Sequence, residues 1–312
     1  MLNFSFLFQS SFYIDVVTQG LAYSILAIGV LLTYQVLDYA DLTVEGSFPL
    51  GAAAGAMCIT HNINPFFSLI VAFIAGLLAG YATGFLHVKC KISSLLSGIL
   101  VMTGMYSINL IVSNDQSQIA LFTYDTIFTY GSMIAQNFSG DTATWIIKLW
   151  PIFILLVIVG IMKLLLDWFL DTKYGFLMRI AGDNPQLISS LGKDLGHIKM
   201  NGLAISNGYA AVSGAVVSQL LRYFDVQLGT GMIVMGLASV IIGLTVFKRF
   251  KFFGFTTSVI LGAITYRLTI AVALNLGLPP NNLKLIMAVI FIIVLVLGNG
   301  VMGKFFHRSV KG

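Results

Sequence analysis

The stretch YGFLMRIAGDNPQLISSLGKDLGHIK, residues 174–199, is polar and rich in turn residues, yet apolar segments flank it on both sides. A helix that crosses a bilayer needs about 20 mostly apolar residues, and both flanking segments are long enough. The polar stretch therefore lies in water at one face of a membrane. Its own pattern predicts a short helix outside the bilayer.

The signals for that short helix are local. Asn184 is a favourable N-cap, Pro185 suits the first helical position, and Gly192 can end the helix in a left-handed conformation. An apolar stripe lies between these ends and consists of Leu187, Ile188 and Leu191. A helix of about two turns is marginal alone and needs a surface to pack on. That surface is either the protein's own body and the membrane, or a cytoplasmic partner.

The composition of the whole chain is that of a membrane protein. Of its 312 residues, 58% are hydrophobic and 9% are charged, and the mean hydropathy is +0.94. Soluble domains average roughly 25% charged residues, so this chain could not cover a folded surface with polar groups. The composition excludes one large soluble domain and predicts an all-α integral membrane protein with lipid as its main solvent.

Nine apolar segments are candidates for membrane spans, with a range of eight to ten, and they form one transmembrane domain over 1–312. The segments are 14–36, 46–60, 66–87, 93–113, 149–170, 200–221, 231–247, 253–274 and 283–303. The second is short and contains Gly46 and Pro49, which predicts a broken helix. The pattern also leaves room for an internal repeat.

The basic residues predict the orientation of these spans. The loops 88–92, 171–199 and 248–252 and the tail 304–312 hold 12 of the 17 Lys and Arg residues. Since cytoplasmic loops are enriched in Lys and Arg, we expect the N-terminus outside, the C-terminus inside and 171–199 in the cytoplasm. The net charge of +5 is then an orientation signal and not a sign of nucleic-acid binding. The outer loop 114–148 is either a docking surface for an extracytoplasmic partner or a solvated loop.

No enzymatic site is recognisable in the sequence. The four histidines lack metal-ligand spacing, and neither "LGKD" nor "MGKF" completes a phosphate-binding loop. No nucleophile, base and orienting group occur together, and the two cysteines are too few for a disulfide framework. We expect a chain with no catalytic residues, no metal and no bound cofactor, so any ATP used must be bound by another chain.

Polar groups inside apolar segments are expensive in lipid and mark candidate solute sites. Glu45 follows Asp41 by four residues, and the pair either contacts solute at a broken helix or caps a cytoplasmic turn. Arg267 lies inside the eighth segment and must face a cavity or pair with an acid such as Asp225. Small and polar faces occur on the fourth and sixth segments. The candidate pathway residues are Asp41, Glu45, Ser97, Asn207, Ser218 and Arg267.

Three segments, in order, resemble the permeases of the branched-chain amino acid and ribose class of ABC importers. The segments are "DYADLTVEGSFPLGAAAGA" (38–56), "GFLMRIAGDNPQLISSLGKDLGHIKMNGLAISNGYAAVSGAV" (175–216) and "LGTGMIVMGLASVIIGLTVFKRFKFFGFTTSVILGA" (228–263). "DLTVEGSF" is most similar to a subgroup associated with aromatic amino acid uptake. The chain departs from the family pattern at Ile180 and Ala181, and the basic "FKRFKFFG" replaces a glycine-rich turn.

The resemblance implies a bacterial cell-membrane permease whose cytoplasmic loop helix inserts into a groove of a separate ATP-hydrolysing subunit, which binds the ATP and Mg. It also implies an extracytoplasmic solute-binding protein and, because ATPase subunits close as a symmetric pair, a permease homodimer or a pair with a closely related second permease. The implied coupling residues are Arg179, Gly182, Asp183, Asn184, Pro185, Leu187, Ile188, Leu191 and Gly192. The alternative is an ion-gradient-driven secondary transporter, which offers no reason for a docking helix. The solute stays open, with an amino acid expected.

Overall fold

The structure is a computed structural model of the 312-residue chain, and it describes residues 10–136, 140–248, 254–276, 279, 282, 285–293 and 295–296. The predicted tail 304–312, the basic loop residues 249–253 and part of the predicted span 283–303 lie outside the described residues. Within that last span, residues 285–293 and 295–296 are helical.

The described chain is almost entirely helical. Its helices are α1 Ser10–Leu31, α2 Val44–Thr60, α3 Pro65–Val88, α4 Ser94–Val112, α5 Tyr130–Ala135, α6 Asp141–Asp171, α7 Lys173–Asp183, α8 Pro185–Ser190, α9 Leu195–Leu221, α10 Met232–Ile242 and α11 Phe255–Asn275. Wider π-type turns extend α1 over Leu32–Val36 and α10 over Gly243–Phe247. Two short antiparallel strands, β1 Gln118–Ala120 and β2 Tyr223–Asp225, pair with Ile119 opposite Phe224.

Six of the described helical segments are long and apolar enough to cross a membrane, which confirms an all-helical membrane protein. They are Ser10–Val36, Pro65–Val88, Ser94–Val112, Thr142–Asp171, Val226–Phe247 and Phe255–Asn275. The six do not include α2, which has only 17 residues, or α9, which carries many polar and small residues. The count of nine spans and the internal repeat stay predictions.

Helix α9 lies at the centre of the bundle, and glycines bring its neighbours close to it. A methyl group on Gly51 of α2 would overlap the carbonyl of Ala211, and one on Gly80 of α3 would overlap the carbonyl of Leu203. In lipid, where burial of apolar surface drives helix association only weakly, small residues at helix interfaces allow dense packing. The structure therefore assigns the glycine ridge Gly76, Gly80 and Gly84 to packing against α9.

The break in helical structure near the second span lies at a different position from the one that the sequence predicted. Helix α2 continues through Gly46 and Pro49, and the chain is instead non-helical over 37–43, directly before it. Pro49 lies inside α2 and has no N–H to donate to the Glu45 carbonyl, yet the loss of this one helical hydrogen bond does not end the helix. The non-helical segment carries Asp41, whose partners are described below.

The two long loops contain more structure than their composition indicated. The loop 114–148, which is predicted to lie outside, includes β1, α5 and the first turns of α6, which begins at Asp141 and not at 149. The loop 171–199, which is predicted to lie inside, contains α7, whose cap is the Thr172 hydroxyl accepting from Gly175 N–H at 3.2 Å. Asp194 starts α9 five residues earlier than predicted by accepting from the N–H groups of Gly196 and His197.

Replacing Gly51 with Ala is expected to destabilise the fold, because the new methyl group overlaps the Ala211 carbonyl in the α2–α9 contact. Overpacking of this kind costs about 1–3 kcal/mol, and thermal unfolding of the purified protein in detergent measures it. Gly160→Ala on α6 is the matched control, since nothing lies within 4 Å of its added methyl group. Equal melting temperatures for the two variants would contradict the packing described for α9.

Candidate functional site

Helix α8 presents an apolar pair to solvent. The side-chain oxygen of Asn184 accepts from Leu187 N–H at 3.2 Å, Pro185 occupies the first turn, and Gly192 has a φ of +67°. Ile188 is fully buried against the protein, whereas Leu187 is 44% exposed and Leu191 is 53% exposed. Ile188 thus anchors the helix to the protein, whereas Leu187 and Leu191 remain exposed on its surface.

Helix α7 precedes α8 in the chain and packs against the end of α1. Gly182 lies so close to the carbonyl of Val36 that a methyl group there would overlap it. Asp183 borders a cavity of about 440 Å³ between the ends of α1, α6, α7 and α11. Arg179 also borders it, with its guanidinium 3.8 Å from the carboxylate of Asp171. Both partners are exposed, so this ion pair contributes little stability.

The same cavity is bordered by Asp167 of α6, one member of a charged pair that sequence reasoning missed. Lys163 Nζ lies 2.7 Å from the carboxylate of Asp167, one helical turn away, and Thr256 donates to that carboxylate at 2.8 Å. The signal was present as a Lys and an Asp four residues apart within an apolar segment, a spacing that puts them on one helix face.

A buried polar cluster joins the non-helical segment 37–43 to α9. Asp41, 3% exposed, accepts from Asn207 Nδ2 at 2.6 Å and from Thr43 N–H at 2.9 Å. Asn207 Oδ1 accepts from the Ser47 hydroxyl at 2.6 Å, and its Nδ2 also donates to the Leu203 carbonyl at 2.9 Å. The structure thus brings two predicted pathway residues, Asp41 and Asn207, into contact with each other.

Two further predicted pathway residues are buried and bonded within the protein. The hydroxyl of Ser97 lies 3.0 Å from the Tyr39 hydroxyl and donates to the Ser94 carbonyl at 2.8 Å. The hydroxyl of Ser218 donates to the Ala215 carbonyl at 3.0 Å. Both side chains have no solvent exposure, so they stabilise helix packing in this conformation.

Glu45 borders a second cavity, of about 500 Å³, between α2, α4 and the start of α10. Its Oε1 accepts from Gly231 N–H at 3.1 Å, directly before α10 begins. A carboxylate beside a helix N-terminus is favourable, because the first N–H groups carry partial positive charge. Asn109 of α4 lines the same cavity, and sequence reasoning did not single it out.

Arg267 of α11 faces α1. Its guanidinium donates to the Gln19 side-chain oxygen and lies 4.8 Å from the centre of the Tyr23 ring. It borders a third cavity, of about 190 Å³, together with Asp15. Asp225, the sequence-based alternative partner, instead accepts from Gln118 at 2.7 Å. Among the described residues, no group of three or more His, Cys, Asp or Glu could hold a metal ion.

Comparison with known proteins establishes the family. A family model described as "Branched-chain amino acid transport system / permease component" matches residues 12–295. The chain belongs to this permease family. The permease is 43% identical over 286 residues to the tyrosine transport system permease protein of Clostridioides difficile, covering 92% of this chain and 91% of that protein. The resemblance seen in the three motif segments, including the aromatic amino acid subgroup, is confirmed.

Two more distant relatives agree with this placement. An uncharacterized protein of Rickettsia prowazekii is 31% identical over 288 residues, covering 90% of the permease and 96% of the relative. A probable branched-chain amino acid transport permease protein of Methanocaldococcus jannaschii is 26% identical over 202 residues, covering 62% and 61%. The permease is thus a multi-pass membrane protein and a transport subunit, not an enzyme.

Asn207→Leu is expected to destabilise the permease, because it leaves the buried Asp41 carboxylate without its 2.6 Å donor. Loss of a hydrogen bond to a charged group costs roughly 1.5–3 kcal/mol, measurable as a lower melting temperature in detergent.

The matched control is Asn201→Leu on the same helix, where the side chain is exposed and bonds the Tyr174 hydroxyl. A surface substitution of this kind changes the free energy of unfolding by no more than about 0.5 kcal/mol. Adding Asp41→Leu to Asn207→Leu should recover part of the loss, since replacing both partners removes the unsatisfied carboxylate. If Asn207→Leu and the double variant Asp41→Leu/Asn207→Leu both melt at the wild-type temperature, the cluster does not stabilise the fold.

Proposed function

We propose that this permease is the transmembrane subunit of an ATP-driven importer and that α8 couples it to a separate ATP-hydrolysing subunit. The observation that carries the proposal is the exposed pair Leu187, on the capped helix α8, and Leu191, at its C-terminal end. A short helix with a projecting apolar face fits an apolar groove on a partner protein. In this proposal the partner binds ATP and Mg, and the permease binds neither.

The other coupling residues have supporting roles in this proposal. Asn184, Pro185 and Gly192 determine where α8 begins and ends, and Ile188 holds it on the protein. Gly182 keeps α7 in contact with the end of α1. Arg179 and Asp183 lie on α7 beside the cytoplasmic cavity. Movement of the ATPase pair would then reach the membrane helices through α7 and α8.

The solute in this proposal is an amino acid, and tyrosine is the first candidate because the relative from Clostridioides difficile is named as a tyrosine transport system permease. An extracytoplasmic solute-binding protein would deliver it to the outer surface, where β1, β2 and α5 lie. Of the six pathway candidates, Glu45 and Arg267 border cavities. The buried residues Asp41, Ser97, Asn207 and Ser218 position the surrounding helices.

The proposed assembly is a permease homodimer in the bacterial cell membrane, with the N-terminus outside and the C-terminus inside. Two copies supply two α8 helices related by a two-fold axis, which matches a symmetric pair of ATPase subunits. An ion-gradient-driven transporter would leave the exposed leucine pair without a function.

Changing both Leu187 and Leu191 to Asp should release the ATPase subunit or uncouple it, because two charges replace the apolar contact. We expect the variant to reach the membrane in normal amount, while co-purification of the ATPase and solute-stimulated ATP hydrolysis fall to background. Reconstituted complex with solute-binding protein and tyrosine provides the hydrolysis assay.

Ser189→Asp is the control for this experiment, since residue 189 lies about 200° around the helix from residue 187 and its side chain is also exposed. It should leave co-purification and hydrolysis near wild type. Unchanged co-purification and hydrolysis in the double leucine variant would show that α8 is not the coupling helix.

The natural cysteines test the orientation directly. Cys90 is exposed and Cys58 is buried, and residues 88–92 are expected in the cytoplasm. An impermeant maleimide applied to intact cells should therefore leave the wild-type permease unlabelled until the membrane is permeabilised. In a Cys90→Ser background, Ser132→Cys on α5 should be labelled without permeabilisation. The reverse pattern would overturn the proposed orientation.

A further inference from the structure

The cavity between α1 and α11, the α1–α11 cavity, is lined by two opposite charges. Asp15 of α1 and Arg267 of α11 both border it, and its volume is about 190 Å³. Both helices are long and apolar enough to cross a membrane. Charged side chains inside such helices are costly in lipid and therefore mark candidate functional sites.

The two charges of this cavity do not contact each other. Within the described part of the chain, neither Asp15 nor Arg267 forms a salt bridge. Lys163 and Asp167 on α6, in contrast, are in direct contact at 2.7 Å. Opposite charges in a poorly polarisable surrounding attract each other strongly. A gap between them therefore favours a bridging group that carries both signs.

Arg267 is fixed by α1 and still has donors to offer. Its guanidinium donates to the Gln19 side-chain oxygen and lies 4.8 Å from the centre of the Tyr23 ring. A guanidinium has five N–H donors, which is more than the bond to Gln19 uses, and the side chain is partly exposed. The planar fork of these donors matches a carboxylate, which it can bind through two parallel hydrogen bonds.

Asp15 provides the acceptor on the other side of the gap. Its side chain is exposed, and it lies four residues before Gln19, on the same face of α1 and about 6 Å along the helix. Since Gln19 contacts Arg267, the carboxylate of Asp15 is offset from the guanidinium by about one helical turn. An ammonium group, with three N–H donors, fits such a carboxylate.

The size of the cavity determines which part of a solute fits it. Its volume lies below the roughly 300–1,000 Å³ of pockets that enclose a drug-sized ligand. Its walls beside the two charges are partly apolar and include Val16, Ile270 and Leu274. The cavity therefore fits a compact group with both charges and not a whole aromatic amino acid.

We propose that the α1–α11 cavity binds the zwitterionic head group of the transported amino acid, with the α-carboxylate on Arg267 and the α-ammonium group on Asp15. The inference rests on the amino acid transport function proposed above. In the proposed orientation the Ser10 end of α1 and the Asn275 end of α11 are outside, so a solute would meet this site on entry. Because the cavity takes only the head group, the permease would accept amino acids with different side chains.

Equilibrium binding to the full-length permease in nanodiscs tests the inference. The nanodiscs contain phosphatidylcholine and phosphatidylglycerol, whose head groups offer no primary ammonium group to the cavity. Radiolabelled tyrosine, phenylalanine and leucine are titrated to millimolar concentration without solute-binding protein, and we expect their dissociation constants to agree within about tenfold. Tyramine and 3-(4-hydroxyphenyl)propionate each lack one charge and should compete with tyrosine at least about tenfold more weakly than unlabelled tyrosine does.

Variants assign each charge to its residue. Asp15→Asn should weaken tyrosine binding about ten- to hundredfold and leave the inhibition constant of the propionate unchanged. Arg267→Gln should weaken tyrosine binding as much and leave the inhibition constant of tyramine unchanged, which also shows that the variant is folded. Arg267→Lys keeps the charge without the planar fork and should bind with intermediate strength.

Asp125→Asn is the control for the aspartate variant. This carboxylate is also exposed, and it lies in the loop between β1 and α5, so the control should bind tyrosine as the wild type does. If Arg267→Gln loses tyramine binding as well, Asp15→Asn alone decides.

Three results would overturn the inference. The first is tyrosine binding of wild-type strength in Asp15→Asn or Arg267→Gln, and the second is competition by tyramine or the propionate that equals that of tyrosine. The third is no saturable binding of the three amino acids, or a preference for one of them well above tenfold. ATP-dependent uptake of one of them by the complete complex would still leave the proposed transport function standing, whereas absence of all uptake would count against that function itself.

Discussion

Close backbone contact around α9 is the constraint on which the rest of the permease depends. Apolar helices gain little free energy of burial when they associate in lipid, so their association depends on dense packing and internal hydrogen bonds. Glycines at the contacts with α2 and α3 let the helix backbones approach until a single methyl group would overlap a carbonyl. These contacts place the start of α2, and with it Glu45 and the cavity between α2 and α4, relative to the buried helix at the centre.

A non-helical segment inside such a bundle needs partners for its polar groups, because no water reaches them. The segment 37–43 finds them in α9: Asn207 donates to the Asp41 carboxylate and accepts from Ser47. Asn207 thus forms hydrogen bonds both with Asp41, in the connection between α1 and α2, and with Ser47, in α2 itself. Such a closed arrangement of hydrogen bonds is rigid.

Local signals predicted α8 well, since Asn184, Pro185 and Gly192 act on their own neighbours. The glycine ridge of α3 was also readable, because its spacing puts three small residues on one face. Helix α7 was missed because its cap, Thr172, follows the apolar segment directly. The hydrogen bond between Asn109 and Gly46 could not be predicted from local sequence, since the two residues are 63 positions apart. Asp41 and Asn207, 166 residues apart, were identified singly and not as a pair.

The contact between Gly182 and the Val36 carbonyl ties helix α7 to the end of α1. Ile188 anchors α8 to the body of the protein, and the Thr172 hydroxyl caps α7. If α8 receives an ATPase subunit as proposed, a displacement of α8 would be passed through α7 to the turns that precede residues 37–43. A larger side chain at position 182 would then separate α7 from α1 and weaken the connection between this loop and the Asp41 cluster.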